Sequence, residues 1–228
     1  MRGARAIAFV VGVGVAWAAV REVEISLPVR PKLLLTGQEK LYLGPFIREA
    51  AKEDQVPQRL SFDVTVEFER YLRRLLRRES KLQLLPPLEG VRPPAGDALS
   101  LARATQFWRE LGAQTGADLI VAGSVDFQVQ DRSGYKTEEY VSPIDGRTYY
   151  RQVLVEQTGF LYDILLQVYD GRTGTLLLEQ PLKDFQERPE RNFDEFTGMF
   201  SNLYALENQL IGIFVPRTVK SKRLLFTD

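Results

Sequence analysis

The apolar positions of the chain alternate between the two-residue period of strands and the longer period of helices. Residues 40–47 and 81–85 are short apolar runs that end in turns containing proline, which predicts two short strands. Residues 117–130 begin as a continuous apolar run and then alternate, which is typical of a strand that leaves a core for an exposed rim. A further strand is predicted over 153–170, and the glycine-containing turn after it predicts an antiparallel return strand up to residue 182.

Three segments have the spacing of amphipathic helices, with apolar residues three and four positions apart. The first is predicted over residues 61–79, with Ser61 as its N-cap. The second is predicted over 98–115, with a stop at Gly116, and the third ends near Phe214, before Pro216. The positions expected to face a core are Phe62, Val66, Tyr71, Leu72, Leu75 and Leu76 in the first helix, Leu101, Thr105, Trp108 and Leu111 in the second, and Phe196, Met199, Phe200, Leu203, Leu206 and Leu210 in the third.

This order of strands and helices predicts the α/β (α+β) class. We expect a mixed sheet of about five strands with three main helices packed on it, in two or three layers. A long β-hairpin is predicted as an insertion at 131–159, because a strong turn signal at Pro143–Gly146 has aromatic residues on both sides. The body is expected to be one domain over 38–215, with an extended proline-containing segment at 19–37 and a tail or edge strand at 216–228.

The first eighteen residues have the three parts of a secretory signal peptide. Arg2 and Arg5 precede an apolar run, and Ala16-Trp17-Ala18 is a small-x-small cleavage site, so we expect cleavage after Ala18. The uncharged run at 6–20 is shorter than the roughly 20 residues that cross a bilayer, which makes a retained anchor the weaker alternative. No cysteine follows the run, so no lipid anchor is expected.

The composition excludes several classes of function. Lysine plus arginine equals aspartate plus glutamate at 30 each, so no net charge attracts the chain to nucleic acid. The chain has no histidine and no cysteine, which removes the ligands of zinc and copper sites and the base of Ser-His-Asp catalysis. No nucleotide-binding or calcium-binding motif is present. We therefore expect no cofactor, no metal and no enzymatic activity.

One segment resembles known proteins of the bacterial envelope. The helix-strand junction FWRELGAQTGADLIVAGSV, at residues 107–125, and the turn at 170–174 resemble the amino-terminal domain of TolB and the curli-channel (CsgG-like) and penicillin-binding-protein activator (LpoB-like) families. The motif positions are Gly116, Asp118, Gly123, Asp170 and Gly174. The resemblance implies a periplasmic α/β domain that binds other envelope proteins, in some members by ring assembly. The curli-channel proteins are lipoproteins, and this chain lacks the cysteine for that anchor.

Two groups of residues are candidates for contact with a partner. The first helix carries Arg70, Arg73, Arg74, Arg77 and Arg78, which could bind carboxylates or phosphates of an acidic partner or of anionic headgroups. The alternative is a solvated helix face. The hairpin carries Tyr140, Tyr149 and Tyr150, which favour an exposed aromatic contact loop over a plain surface hairpin. Its charged residues leave no clean apolar face for a strand that crosses a membrane.

Together these features predict an exported, non-enzymatic adaptor or scaffold that acts in the periplasm, with association to the outer membrane left open. Its expected partners are other envelope proteins, with a homo-oligomer and peripheral binding to a membrane as further possibilities. One alternative is a cell-wall or glycan hydrolase that uses a pair of carboxylates. Its candidate acids are scattered through the sequence at Asp97, Asp118, Asp126, Asp163, Asp170, Asp184 and Asp194. A second alternative is a subunit of an oligomeric export ring in the outer membrane.

Overall fold

The computed structural model describes residues 19–48, 60–189 and 193–227, in two compact units. The larger unit spans Pro31–Val215, and the smaller unit joins the chain before Pro31 to the chain from Pro216 onward. The strands are β1 Ala19–Val29, β2 Lys40–Ile47, β3 Gln83–Leu84, β4 Leu119–Asp131, β5 Gly134–Val141, β6 Thr148–Val155, β7 Thr158–Asp170, β8 Leu176–Arg188 and β9 Arg217–Thr227. The helices are α1 Val64–Glu79, α2 Ala98–Arg103, α3 Thr105–Thr115 and α4 Glu195–Ile211. The signal peptide expected at 1–18 lies outside the described residues.

The larger unit is built on a five-stranded mixed sheet, which confirms the predicted fold class. The strand order is β3-β2-β4-β7-β8. Strand β2 is parallel to β3 and β4, whereas β4, β7 and β8 are successively antiparallel. The hairpin predicted inside 131–159 is also confirmed, because β5 and β6 pair antiparallel as a separate two-stranded sheet.

The two faces of the five-stranded sheet are covered differently. Helices α1 and α4 pack on one face and bury Phe68, Leu72, Leu203 and Leu210 against it. Helices α2 and α3 contact β4 and β7 on the other face, where Trp108 and its neighbours form a second apolar cluster. The result is a three-layer arrangement over this part of the sheet.

A buried polar network fixes α2 and α3 on the sheet. The ring of Trp108 stacks on Tyr169 with centroids 4.3 Å apart, and its indole N–H donates to the carbonyl of Leu101 at 2.8 Å. The hydroxyl of Tyr169 donates to the buried side chain of Gln167 at 2.7 Å. The amide of Gln167 in turn donates to the carbonyl of Ala98 at 3.1 Å. Each of the three side chains in this network therefore makes a hydrogen bond, which specifies one position for the helices.

Several predicted helix details are wrong. Helix α1 begins after Asp63, not Ser61, because the Asp63 carboxylate accepts the backbone N–H groups of Thr65 and Val66. The helix predicted over 98–115 is broken at Ala104, whose ψ of 47° is not helical. Thr105 consequently starts a new helix and is exposed instead of facing the core.

The predicted apolar faces of the first and last helices also contain errors. Val66 and Phe196 were expected to face the core, but both side chains are exposed. Helix α4 ends at Ile211, and the chain continues to Phe214 as a turn. Ile213 and Phe214 are buried although they lie in this turn. The periodic apolar pattern of the sequence therefore extends past the end of the helix.

The motif residues stabilise the junctions between elements. Gly116 has a φ of 68° and ends α3 in the left-handed conformation, as predicted. The Asp118 carboxylate accepts the backbone N–H of Lys40 at 3.0 Å, and this bond, first among several, lowers the pKa of Asp118. At Gly123 a Cβ would lie 1.9 Å from the carbonyl oxygen of Leu165, so only glycine fits there.

The turn between β7 and β8 contains the other two motif residues. The Asp170 carboxylate accepts the backbone N–H groups of Arg172 and Thr173, each at 2.8 Å. Gly174 donates its N–H to the carbonyl of Asp170 at 2.8 Å and closes the turn. Asp170 and Gly174 therefore stabilise the turn between β7 and β8.

The smaller unit is a two-stranded antiparallel sheet. Strand β1 pairs with β9 in continuous register, from Ala19 opposite Thr227 to Val29 opposite Arg217. The sequence analysis predicted an extended segment and a tail separately, and in the structure residues 19–29 and 217–227 pair as one ribbon.

Candidate functional site

The hairpin of β5 and β6 continues from the end of β4 and returns to the start of β7. Each strand has 8 residues, which corresponds to a length of about 27 Å. The turn at its tip is closed by the N–H of Ser142, which donates to the carbonyl of Arg147 at 2.9 Å, and by the N–H of Gly146, which donates to the carbonyl of Ser142 at 2.9 Å. The register is therefore fixed from the tip, and it determines which side chains share a face.

One face of the hairpin is internally paired. Tyr140 lies opposite Tyr149 with ring centroids 6.0 Å apart. The guanidinium of Arg151 lies 5.4 Å from the Tyr140 centroid and 3.4 Å from the carboxylate of Glu138. The Tyr149 hydroxyl donates to Asp145 at 2.7 Å, which lowers the pKa of Asp145 and raises that of Tyr149. We call this side the paired face.

The opposite side of the hairpin carries large apolar side chains that are mostly exposed. Tyr135 lies opposite Leu154, Tyr150 opposite Glu139, and Val141 opposite Thr148. The exposed fractions are 76% for Tyr135, 71% for Tyr150, 64% for Val141 and 51% for Leu154, and Ile144 at the tip is 94% exposed. We call these five residues the apolar hairpin face. The pair Thr137 and Gln152 lies between Tyr135 and Tyr150 on this face. Exposure of this extent in several large apolar side chains of one hairpin is typical of a binding surface.

The structure separates the three tyrosines that the sequence analysis had grouped. Tyr150 belongs to the apolar hairpin face, whereas Tyr140 and Tyr149 lie on the paired face. Sequence reasoning missed Tyr135, Val141, Ile144 and Leu154 as members of this surface. The signal was present in the sequence, because counting outward from the turn in steps of two places Tyr135 on the same side as Val141.

The five arginines of α1 do not form one site. Arg70 pairs with Glu67 at 2.7 Å, and Arg78 pairs with Glu79 at 2.6 Å and with Glu207. The guanidinium of Arg73 donates to the carbonyl of Leu85 at 2.9 Å, and burial lowers the pKa of Arg73.

The other two arginines of α1 remain available to solvent. Within the described ranges, Arg74 and Arg77 are exposed and make no ion pair. Two free guanidinium groups are a weaker anion-binding surface than the five that the spacing suggested.

Two of the candidate acids face each other across neighbouring strands. Asp126 and Asp163 lie directly opposite each other on β4 and β7. Each is ion-paired, Asp126 with Arg48 at 3.5 Å and Asp163 with Lys183 at 2.6 Å, and the latter bond raises the pKa of Lys183. The two carboxylates are therefore neutralised by neighbouring cations on the sheet.

The remaining acids of the hydrolase alternative make structural hydrogen bonds. Asp97 caps α2 and Asp194 caps α4, where each accepts a backbone N–H at 2.8 Å. Asp184 accepts the side-chain amide of Asn202 at 3.0 Å. Over the part of the chain that the structure describes, no group of three or more acidic side chains could hold a metal ion.

Comparisons with known proteins give distant structural likenesses. No protein-family model matches the sequence, and no curated protein does. The fold is similar to the hypothetical protein CT253 of Chlamydia trachomatis, with a TM-score of 0.43 and 12% identity over 76% of this chain and 94% of that chain. It is also similar to the lipoprotein GNA1162 of Neisseria meningitidis, with a TM-score of 0.36 and 13% identity over 75% of this chain and 97% of that chain.

A third similar structure is a PDZ domain protein of Parabacteroides distasonis. Its TM-score is 0.29 at 8% identity, and the match covers 90% of this chain and 39% of that chain. At these scores the likenesses carry no inference about function. Among the helices in the described ranges, none has the length and apolarity needed to cross a membrane.

Proposed function

We propose that this protein is an exported, non-enzymatic adaptor of the bacterial cell envelope that binds another envelope protein through the apolar hairpin face. The observation that supports this proposal is the exposure of Tyr135, Val141, Tyr150 and Leu154 on one side of a hairpin and of Ile144 at its tip. The apolar segment at the start of the sequence supports export. The periplasm is the proposed compartment.

The physical argument starts from the stability of the hairpin. A two-stranded sheet by itself is at most marginally stable in water, because one pair of strands buries little apolar surface. The paired face contributes ring and ion contacts, but the apolar hairpin face has no cover among the described residues. A partner that covers this face therefore stabilises the hairpin as well as the complex.

The residue types suit protein recognition. Tyrosine combines a large rigid contact area with a hydroxyl that can stay hydrated, and it is enriched among the residues that dominate binding energy. Tyr135 and Tyr150 are the two tyrosines of the apolar hairpin face, and both side chains are largely exposed. The strands β5 and β6 pair with each other alone among the described strands, so a partner strand could extend either edge.

The test compares two adjacent cross-strand pairs of the hairpin. Tyr135 and Leu154 lie opposite each other on the apolar hairpin face, and Lys136 and Val153 form the next pair on the other face. The variant Y135T/L154T removes two apolar contacts, whereas the control K136T/V153T places the same two threonines one position away. Threonine suits a strand, so both variants keep the hairpin.

The measurement is quantitative capture of envelope proteins on the purified chain. We expect Y135T/L154T to lose a protein that the wild type and K136T/V153T both retain. Retention of every partner by Y135T/L154T would contradict the proposal. Formation of a ring by the wild-type chain alone, seen by light scattering and abolished by Y135T/L154T, would instead favour the export-ring alternative.

A further inference from the structure

The two-stranded sheet of β1 and β9, which we call the terminal ribbon, separates apolar and polar side chains onto two faces. Each strand has 11 residues, so the ribbon is about 36 Å long. Residues opposite in register share a face, and side chains alternate along each strand. Leu27 lies opposite Val219 on one face, and Ser26 lies opposite Lys220 on the other.

The first face is apolar and open. Its apolar residues are Val23, Ile25, Leu27, Val29 and Val219, and Ser221 lies on the same face opposite Ile25. The exposed fractions are 40% for Ile25, 45% for Leu27, 38% for Val29 and 44% for Val219. These five residues form a continuous stripe, which we call the apolar ribbon face.

The charges of the ribbon are divided between the two faces. Arg217 lies opposite Val29 and Arg223 lies opposite Val23, so an arginine stands at each end of the apolar ribbon face. The acidic residues of the ribbon whose side chains the structure describes lie on the polar face. There Glu24 pairs with Lys220 at 2.7 Å and Glu22 pairs with Lys222 at 2.8 Å. Among the described side chains, the apolar ribbon face therefore carries positive charge and no acidic residue.

This charge pattern distinguishes between possible occupants of the face. A second copy packed face to face would bring arginines near arginines, because the face offers no carboxylate, and like charges in a sheet contact are destabilising. An anionic lipid surface fits both features. The apolar stripe can enter the boundary between headgroups and acyl chains, while guanidinium groups bind phosphates at its two ends.

We infer that the terminal ribbon is a membrane-binding element, whose apolar ribbon face inserts into the surface of a bilayer that contains anionic phospholipid. This surface is distinct from the apolar hairpin face and uses none of its residues. One chain can thus hold a protein partner and a lipid surface with different elements. The inference does not depend on the identity of that partner.

The first experiment measures co-sedimentation of the full chain with vesicles. The vesicles contain phosphatidylcholine alone or a three-to-one mixture of phosphatidylcholine and phosphatidylglycerol. L27D adds a negative charge on the apolar ribbon face, and the matched control S26D adds the same charge one residue away on the polar face. We expect L27D to weaken binding to the mixed vesicles about ten-fold and S26D at most about two-fold.

A second pair of variants tests the arginines. R223Q removes a charge from the end of the apolar ribbon face, and K222Q removes the same charge from the polar face. We expect R223Q to weaken binding about five-fold, because one basic residue at an anionic surface contributes on the order of 1 kcal/mol. The effect of K222Q should be smaller, since its ammonium is held by Glu22 on the side away from the lipid.

A third measurement reports which face meets the lipid. The chain has no cysteine, so an environment-sensitive fluorophore can be attached to a single introduced cysteine. Val219 and Thr218 are both exposed and lie on opposite faces. With the mixed vesicles, the label on V219C should shift to the blue, and the label on T218C should keep its emission in water.

Three results would overturn the inference. These are equal affinities of L27D and S26D, equal binding of the two vesicle compositions, or equal shifts of the two labels. A dimer that light scattering detects for the wild type and not for L27D would assign the face to a second copy, and would overturn it too. Y135T/L154T should bind vesicles like the wild type, and L27D should keep the protein partner, so failure of this inference is distinguishable from failure of the proposed function.

Discussion

Gly112 gives the most decisive test of the packing between α3 and the turn after β7. It lies inside α3, where glycine is a poor helix former, and alanine there would ordinarily stabilise the helix by about 1 kcal/mol. An ideal Cβ at Gly112, however, would lie 1.8 Å from the carbonyl oxygen of Gly171 and 2.7 Å from its Cα. Helix propensity and packing therefore predict opposite signs for G112A.

The structure indicates that packing is the larger effect. Ordinary contact begins near 3.4 Å, so the helix and the turn would have to separate by about 1.6 Å. The turn has little room to retreat, because a Cβ at Gly171 would itself lie 2.0 Å from the carbonyl oxygen of Ala117. Overpacking of a closed contact costs about 1–3 kcal/mol, occasionally more. We expect a net destabilisation of about 2 kcal/mol, at the upper end of that range less the gain in propensity.

Urea denaturation followed by circular dichroism measures this free energy of unfolding. A113G, one residue away on the exposed side of α3, is the control for helix propensity and should destabilise by about 1 kcal/mol. A G112A variant that is as stable as the wild type, or more stable, would refute the reasoning about the contact between Gly112 and Gly171.

Two further predictions concern stability and are checked by the same denaturation assay. W108F keeps a ring on Tyr169 but removes the N–H donated to the buried carbonyl of Leu101. We expect the free energy of unfolding to fall by about 1–3 kcal/mol. An unchanged stability would show that this hydrogen bond is dispensable. The backbone N–H groups of Thr173 and Arg172 lower the pKa of Asp170 below its ordinary value of 3.8. The ionised Asp170 carboxylate therefore stabilises the fold above about pH 4, and this stabilisation is lost as the pH falls through the lower folded-state pKa. D170N should therefore reduce the fall in stability below pH 4, and an identical pH dependence of D170N and wild type would contradict this assignment.

Local sequence patterns were sufficient for most elements and for the hairpin. The strand over 117–130, the turn at Asp170 and the helix stop at Gly116 were predicted because period and turn chemistry involve residues close in sequence. The same reasoning placed a hairpin between β4 and β7. The sequence analysis did not separate Tyr150 from Tyr140 and Tyr149, because the face of each residue depends on the register that the turn imposes.

Contacts between distant segments decided the other features. The order β3-β2-β4 depends on pairings between strands far apart in sequence, which no local pattern contains. The break at Ala104 reflects the packing of two short helices on one cluster around Trp108, where one straight helix was predicted.

The surfaces proposed for binding also depend partly on local sequence patterns and partly on contacts between distant segments. The sequence by itself determined that residues 22–27 alternate between polar and apolar types, because alternation is a property of one strand. Only the tertiary structure paired β1 with β9, and thereby brought Leu27 and Val219, which are 192 positions apart in the sequence, onto one face. A strand's pattern selects which side chains share a side, but hydrogen bonding to a distant partner decides which surface they build together.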